Sequence, residues 1–388
     1  METEKINEKF KKVALVHDYL NIYGGAEKVL QVFREIFPEA PIFVLSAKKT
    51  LIDKFFSSAK VYTSFLGRLP LFWQKRKKLF TPFLPVAIES FDLSQYDLVV
   101  SSSSAFAKGV LTPPETLHIS YIHTPMRFVW DWYFNYLYEK GSVPQNFFSR
   151  SLARIGLHYL RMWDKESSLR PDFLIANSLT TQGRIKKYWG RESFVLYPPV
   201  EIEKIKQRKK PLAENESKED YFVVVGNLSP FKKVDLAIEA CNKLGKKLLV
   251  IGAGKEKKNL QKISGPTIKF MGSLSDEAVY YFVERARAFL MPQVEDFGIA
   301  AVEAIALGTP IIAFKSGGAT ESVKEGISGI FFEKQNVDSL IDAIKRFCEI
   351  ENQFNRQIML RSVEKFSKEN FKKNFINYLA FQQTQDSK

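Results

Sequence analysis

One alternation constrains this chain more than anything else in it. Short runs rich in β-branched and aromatic residues recur between stretches long enough for amphipathic helices. In the first half the runs are Val13–His17, Ile42–Leu45, Leu98–Ser101, His118–Ile122, Phe173–Asn177 and Phe194–Tyr197. In the second half they are Phe222–Val225, Lys247–Ile251, Ile268–Met271, Ala288–Met291, Ile311–Phe314 and Gly329–Phe332. Strands that alternate with helices pair in parallel, so the pattern predicts an α/β chain with two doubly wound sheets. Pro198-Pro199 and the polar stretch Glu201 to Asp220 separate the two sets. A chain of 388 residues is long for one core and fits two domains. The expected division is 1–199, 200–364 and a closing segment 365–388, in which Phe366, Phe371, Phe375 and Leu379 have roughly helical spacing.

The formal net charge of +14 asks for an anionic partner, and nucleic acid is the first general candidate. Four histidines with no H-x3-H or H-E-x-x-H grouping argue against a protein-bound metal, and no cofactor is expected. Cys241 and Cys348 have no metal or redox spacing and read as reduced thiols of a cytoplasmic protein. No apolar run approaches the roughly 20 residues needed to span a bilayer. The opening METEKINEKFKK is charged rather than signal-like.

The stretch Pro292 to Ala319 carries the sharpest chemical signal. A polar loop with Glu295 and Asp296 leads into the apolar run Gly298 to Leu307, a break at Gly308, a short strand and the adjacent glycines Gly317 and Gly318. Glu303 is the one polar residue of the apolar run. A carboxylate there is costly to bury unless a partner pairs with it; a thin solvent-facing edge is the other way to place it.

Glu295 and Glu303, with Asp296, Phe297, Gly298 and Ile299 between them, resemble the E-x7-E motif of retaining glycosyltransferases of GT-B architecture, family four. The resemblance implies two Rossmann-like domains facing a central cleft, with the closing helix crossing back to the first. It places Glu295 beside the transferred sugar and the amides of residues 296–299 at the sugar and diphosphate. Glu303 would then hold the ribose hydroxyls. The chemistry suits that arrangement: a carboxylate accepts two hydrogen bonds from a diol, and a helix N-terminus offers N–H groups to an anion.

Three further runs are similar to the family. The first strand ends in His17-Asp18 and leads to Gly24-Gly25-Ala26-Glu27. A tight turn alone would explain the glycines; the resemblance puts Gly25 at the donor diphosphate and Asp18 and Gly24 on the acceptor side. His123-Thr124-Pro125-Met126-Arg127, followed by Trp130-Asp131, resembles a subgroup that includes bacterial mannosyltransferases of O-antigen assembly. It implies that His123 contacts the sugar near the reacting carbon and that Arg127 lies on the acceptor side. Asp164 and Glu166 read as surface charge. In the second half, Gly226-Asn227-Leu228-Ser229-Pro230-Phe231-Lys232-Lys233-Val234-Asp235 is similar to G-R-L-x-x-x-K-G-x-D. Lys232 matches the diphosphate-neutralising lysine, Asn227 stands where Arg is usual, and Lys233 where Gly is usual. Gly254 belongs to a G-x-G after the next strand, and Leu274 to a loop that holds the base in relatives.

Between Gly67 and Ala87, Leu69, Leu71, Phe72 and Trp73 precede Lys75-Arg76-Lys77-Lys78, then Leu79, Phe80, Phe83 and Leu84. The mixture suits an interfacial element on an anionic membrane and equally a helix with solvated lysines.

The reading reached is a retaining, metal-independent hexosyltransferase with His123, Glu295 and Lys232 as its catalytic residues. Its partners would be a nucleotide-diphosphate sugar and a glycan or polyprenyl-diphosphate-linked acceptor, at or near the inner face of the cell membrane. GDP-mannose is the preferred donor; a UDP-sugar glucosyl- or galactosyltransferase is the alternative on the same fold. A basic nucleic-acid-binding protein is the alternative of another class, and it leaves Glu295 and Glu303 unexplained. A sugar-nucleotide epimerase would need catalytic acids that the sequence does not display.

Overall fold

The computed structural model describes residues 10–68, 81–138, 143, 146–208 and 218–385. The basic and aromatic run from Leu69 to Phe80 therefore lies outside the described residues. Two compact units emerge, one of Met1–Tyr197 with Lys372–Lys388, the other of Pro198–Phe371.

In the first unit the strands are β1 Val13–Leu20, β2 Ile42–Ala47, β3 Val61–Thr63, β4 Leu98–Ser103, β5 Leu117–Ile122, β6 Phe173–Ala176 and β7 Phe194–Val195. They form a parallel sheet in the order β3-β2-β1-β4-β5-β6-β7. Strands β1, β4 and β5 are buried almost end to end, including the polar Ser101, Ser102, Ser103, His118 and Ser120. Strand β3 has no counterpart among the sequence runs: it has three residues, none fully buried, at the sheet's edge.

The second unit holds β8 Phe222–Val225, β9 Leu248–Ile251, β10 Ile268–Gly272, β11 Phe289–Met291, β12 Ile311–Phe314 and β13 Gly329–Phe332. Their order, β10-β9-β8-β11-β12-β13, is again wholly parallel. Phe222, Val224, Leu248, Val250, Leu290 and Ile312 build its core with helices Val234–Leu244 and Val337–Ile350.

Helix starts follow local chemistry. Asn146, Ser178, Ser275 and Asn336 each accept a hydrogen bond from a first-turn amide of the helix they open. The closing helix, Lys368–Gln385, buries Phe371, Phe375 and Leu379. In the first unit Phe375 packs on Phe33 with ring centroids 4.9 Å apart, and Lys372 pairs with Glu35 at 2.7 Å.

Both sheets reverse strand order once, between β1 and β4 in the first unit and between β8 and β11 in the second. Ligands of open parallel sheets bind at the carboxyl ends of strands flanking such a reversal. His17, Asp18 and Ser102 stand at the first reversal. The loops Gly226–Lys233 and Pro292–Gly298 stand at the second.

Candidate functional site

In the first unit a buried chain of polar side chains crosses the strand ends. Gly24 opens helix Gly25–Ile36, and its N–H donates to Glu27 Oε2 at 2.8 Å. Glu27 Oε1 lies 3.5 Å from His17 Nε2. His17 Nδ1 is 3.1 Å from both the carbonyl oxygen and the hydroxyl of Ser102. Ser102 Oγ is in turn 2.8 Å from His123 Nε2.

The partners assign the protons. A carbonyl only accepts, so His17 Nδ1 carries a hydrogen. Ser102 then accepts from His17 and donates to His123 Nε2, which leaves the His123 proton on Nδ1. Burial, reinforced by His17, pulls the His123 pKa down to about 3, so the ring is neutral. Among the described residues no hydrogen bond engages its Nδ1.

Asp18 has a different occupation. Its two carboxylate oxygens accept four backbone N–H bonds, from Ser104, Ala105, Phe106 and Ala107, at 2.5 to 2.9 Å. With those positions filled it fixes the loop after β4 and has no oxygen left for an acceptor sugar. Arg127 is engaged within its own turn, 3.6 Å from Asp131, which also meets Arg184 at 3.4 Å.

Asp164 corrects the sequence reading. It is fully buried, not at the surface. Lys108 Nζ donates to its Oδ1 at 2.7 Å, and Trp130 Nε1 and Trp189 Nε1 each donate to Oδ2 at 2.8 Å. The signal was present: Asp164 stands four residues after Leu160 and seven after Leu157, on the inward face of its helix. Glu166 is exposed, as expected. The ion pair ties Trp130, in the turn that follows His123, to the loop that Asp18 holds.

In the second unit, Lys232 Nζ donates to Glu295 Oε1, joining the two expected catalytic residues from the β8 and β11 loops. Gln293 Nε2 also donates to Glu295 Oε1, at 2.8 Å. The adjacent glycines lock this loop: Gly318 N–H donates to Glu295 O at 2.8 Å, and a Cβ on Gly318 would stand 2.2 Å from Phe297 Cα. Phe297 is buried against Phe366. Asp296 is half-buried, and Gly298, at φ +91°, turns the chain into helix Ile299–Ala306. The first amides of that helix have no intrahelical acceptor.

Glu303 is half-buried on that helix, and the Tyr280 hydroxyl donates to its Oε1 at 3.4 Å. Burial and then the Glu303 charge push the Tyr280 pKa up, which keeps it a donor. A cavity of about 490 Å³ lined by Glu201, Arg208, Glu277 and Lys368 reaches this cluster through Tyr280. Asn227 is exposed, and a Cβ on Gly254 would stand 2.2 Å from Leu228 O, so the two loops meet backbone to backbone. Leu274 is half-buried in the turn before helix Asp276–Arg285. Lys233 takes φ +49°, the one non-glycine residue with positive φ among those described. The motifs gave no role to Ser102, Gln293 or Tyr280: Ser102 and Tyr280 act on side chains far away in sequence, and Gln293 acts on Glu295 two residues on. Among the described residues, no group of three or more His, Cys, Asp or Glu is gathered to hold a metal ion.

Residues 204–362 match the model of glycosyl transferases group 1, nearly the whole second unit. By that match the second unit resembles a group 1 glycosyltransferase domain. Over 95% of this chain and 99% of the other, the fold matches Anabaena HepE in complex with UDP, with a TM-score of 0.66 at 18% identity. That likeness is the GT-B pairing of two Rossmann-like domains. An uncharacterized glycosyltransferase of Methanocaldococcus jannaschii is 27% identical over 54% of this chain and 58% of its own. A Mycobacterium tuberculosis protein, described as a GDP-mannose-dependent α-(1-6)-phosphatidylinositol monomannoside mannosyltransferase, is 26% identical over 42% of this chain and 49% of its own. The chain thus spans about half the length of the curated relatives that it matches.

Proposed function

We propose that this protein moves a hexose from a UDP-sugar to an acceptor hydroxyl with retention of anomeric configuration. The observation that carries the reading is the Lys232–Glu295 contact at the strand reversal of the second unit, one helical run before Glu303. A lysine there meets the diphosphate, which gains negative charge as the glycosidic bond breaks, and a cation that acts on developing charge lowers the barrier selectively.

In this scheme the bond from the anomeric carbon to the β-phosphate oxygen breaks while the acceptor oxygen bonds to the same face. The acceptor proton passes to the leaving phosphate. Glu303 accepts from the ribose diol, Glu295 orients the sugar, and neutral His123 donates its Nδ1 proton to a sugar oxygen. No resident cofactor enters the scheme.

The donor preference departs from the one the sequence favoured. Structural relatives include complexes with UDP and with UDP-glucose, which supports a UDP-sugar over GDP-mannose. The mycobacterial relative and the H-T-P-M-R-x-x-W-D run keep GDP-mannose as the second reading. A glycan, or a glycan on a polyprenyl diphosphate, is the acceptor class in both. Assaying donor consumption with UDP-glucose, UDP-galactose and GDP-mannose separates them, and no turnover with any donor would sink the proposal.

A further inference from the structure

Helix Phe147–Ser167 of the first unit has two apolar faces. One holds Leu157, Leu160 and Trp163 and is buried in the unit's core. The other runs Phe148, Leu152, Ile155, Tyr159, Met162 at steps of four, three, four and three, which sets all five on one stripe. Their exposures are 77, 60, 68, 41 and 51%. Single exposed apolar residues are ordinary; five aligned over four turns are not.

The charge beside the stripe has one sign. Arg154 and Lys165 project from the flank away from the core, and both are exposed. On the same flank, helix Tyr133–Tyr138 adds Phe134 and Tyr138, 69 and 48% exposed. Arg154 Nη2 donates to the Tyr138 hydroxyl at 3.2 Å, and the Arg150 guanidinium lies 5.5 Å from the centroid of that ring. The exposed side of the long helix carries one acid, Glu166, at its far end.

We propose that this face rests on an anionic membrane surface. A helix lying in the headgroup layer buries an aromatic and aliphatic stripe while flanking cations meet lipid phosphates. The stripe's spacing would also permit self-pairing, but in a two-fold antiparallel pair the basic flanks of both copies meet each other. A layer of anionic headgroups supplies the opposite charge instead. The chain's charge of +14 favours the same partner.

The test is vesicle flotation without nucleotide, using phosphatidylcholine alone and phosphatidylcholine with phosphatidylglycerol. The full chain should float with the anionic vesicles and not with the neutral ones. Ile155→Glu with Met162→Glu should cut partitioning at least about a hundredfold. Arg154→Glu with Lys165→Glu should cut it at least about tenfold. Melting temperatures of both variants should match the parent, since all four side chains are exposed. The proposal is overturned if the parent binds neither vesicle, or if the apolar variant floats as the parent does. It is also overturned if the parent is a dimer that Ile155→Glu with Met162→Glu splits, without vesicle binding. Flotation needs no sugar nucleotide, so its result stands apart from the donor reading.

Discussion

Ser102 Oγ lies 2.8 Å from His123 Nε2, and that contact decides which nitrogen of His123 a ligand meets. With His17 donating into Ser102, the serine hydrogen points at His123 and its Nδ1 is left as a donor. Ser102→Ala removes the hydroxyl and frees the ring to adopt the other tautomer. Turnover should fall on the order of tenfold with the donor KM nearly unchanged, the pattern for an interaction made in the transition state. Ser102→Thr keeps the hydroxyl and should recover most of the loss. Steady-state kinetics of the two variants decide it; equal loss in both would point to packing alone.

His118 and His123 are both held at about 3 instead of the ordinary 6.5, chiefly by burial. Between those values the folded chain binds fewer protons than the unfolded chain. Stability is therefore complete above about pH 6.5 and falls as pH drops toward 3, by up to about 1.4 kcal/mol per pH unit for each histidine. His118 meets Ser101 Oγ through Nε2 at 2.9 Å, and its Nδ1 is buried without a partner. His118→Asn should flatten the decline, read as the shift in urea midpoint between about pH 7 and pH 5.

The Lys108–Asp164 pair is buried on both sides, with side-chain exposures of 1 and 0%. Asp164→Asn leaves a buried ammonium without its countercharge and should cost about 3–5 kcal/mol. Lys108→Met combined with Asp164→Leu should retain more stability than either single change. Chemical denaturation of the single and double variants measures the coupling.

Much of this was legible in the chain. Every strand but β3 announced itself, as a short run of β-branched and aromatic residues between helical stretches. The Lys232–Glu295 contact joins two residues that the motifs had named in separate loops. The His17–Ser102–His123 chain was not legible, since its members come from three strands that only the sheet order makes neighbours. Asp18 and Asp164 were misjudged for the same reason: a carboxylate's partners, here loop amides and indole N–H groups, lie far away in sequence.

Lys233 follows Lys232 where the related motif has glycine, and the backbone explains the preference. At φ +49° a side chain carries a steric cost that glycine escapes. Lys233→Gly should stabilise the second unit by roughly 1 kcal/mol in urea unfolding, after allowance for glycine's greater freedom in the unfolded chain. A destabilised variant would mean that the Lys233 side chain holds the loop by contacts that outweigh the strain.

The most direct measurement is calorimetric titration of UDP and GDP into the full chain and into Glu303→Ala. Two charge-assisted hydrogen bonds to the ribose are at stake, so the variant should bind UDP about 30- to 100-fold more weakly while its melting temperature stays close to the parent's. UDP should bind the parent more tightly than GDP, without added metal. Equal UDP affinity in parent and variant, or no nucleotide binding by the parent, would contradict the assignment of this site.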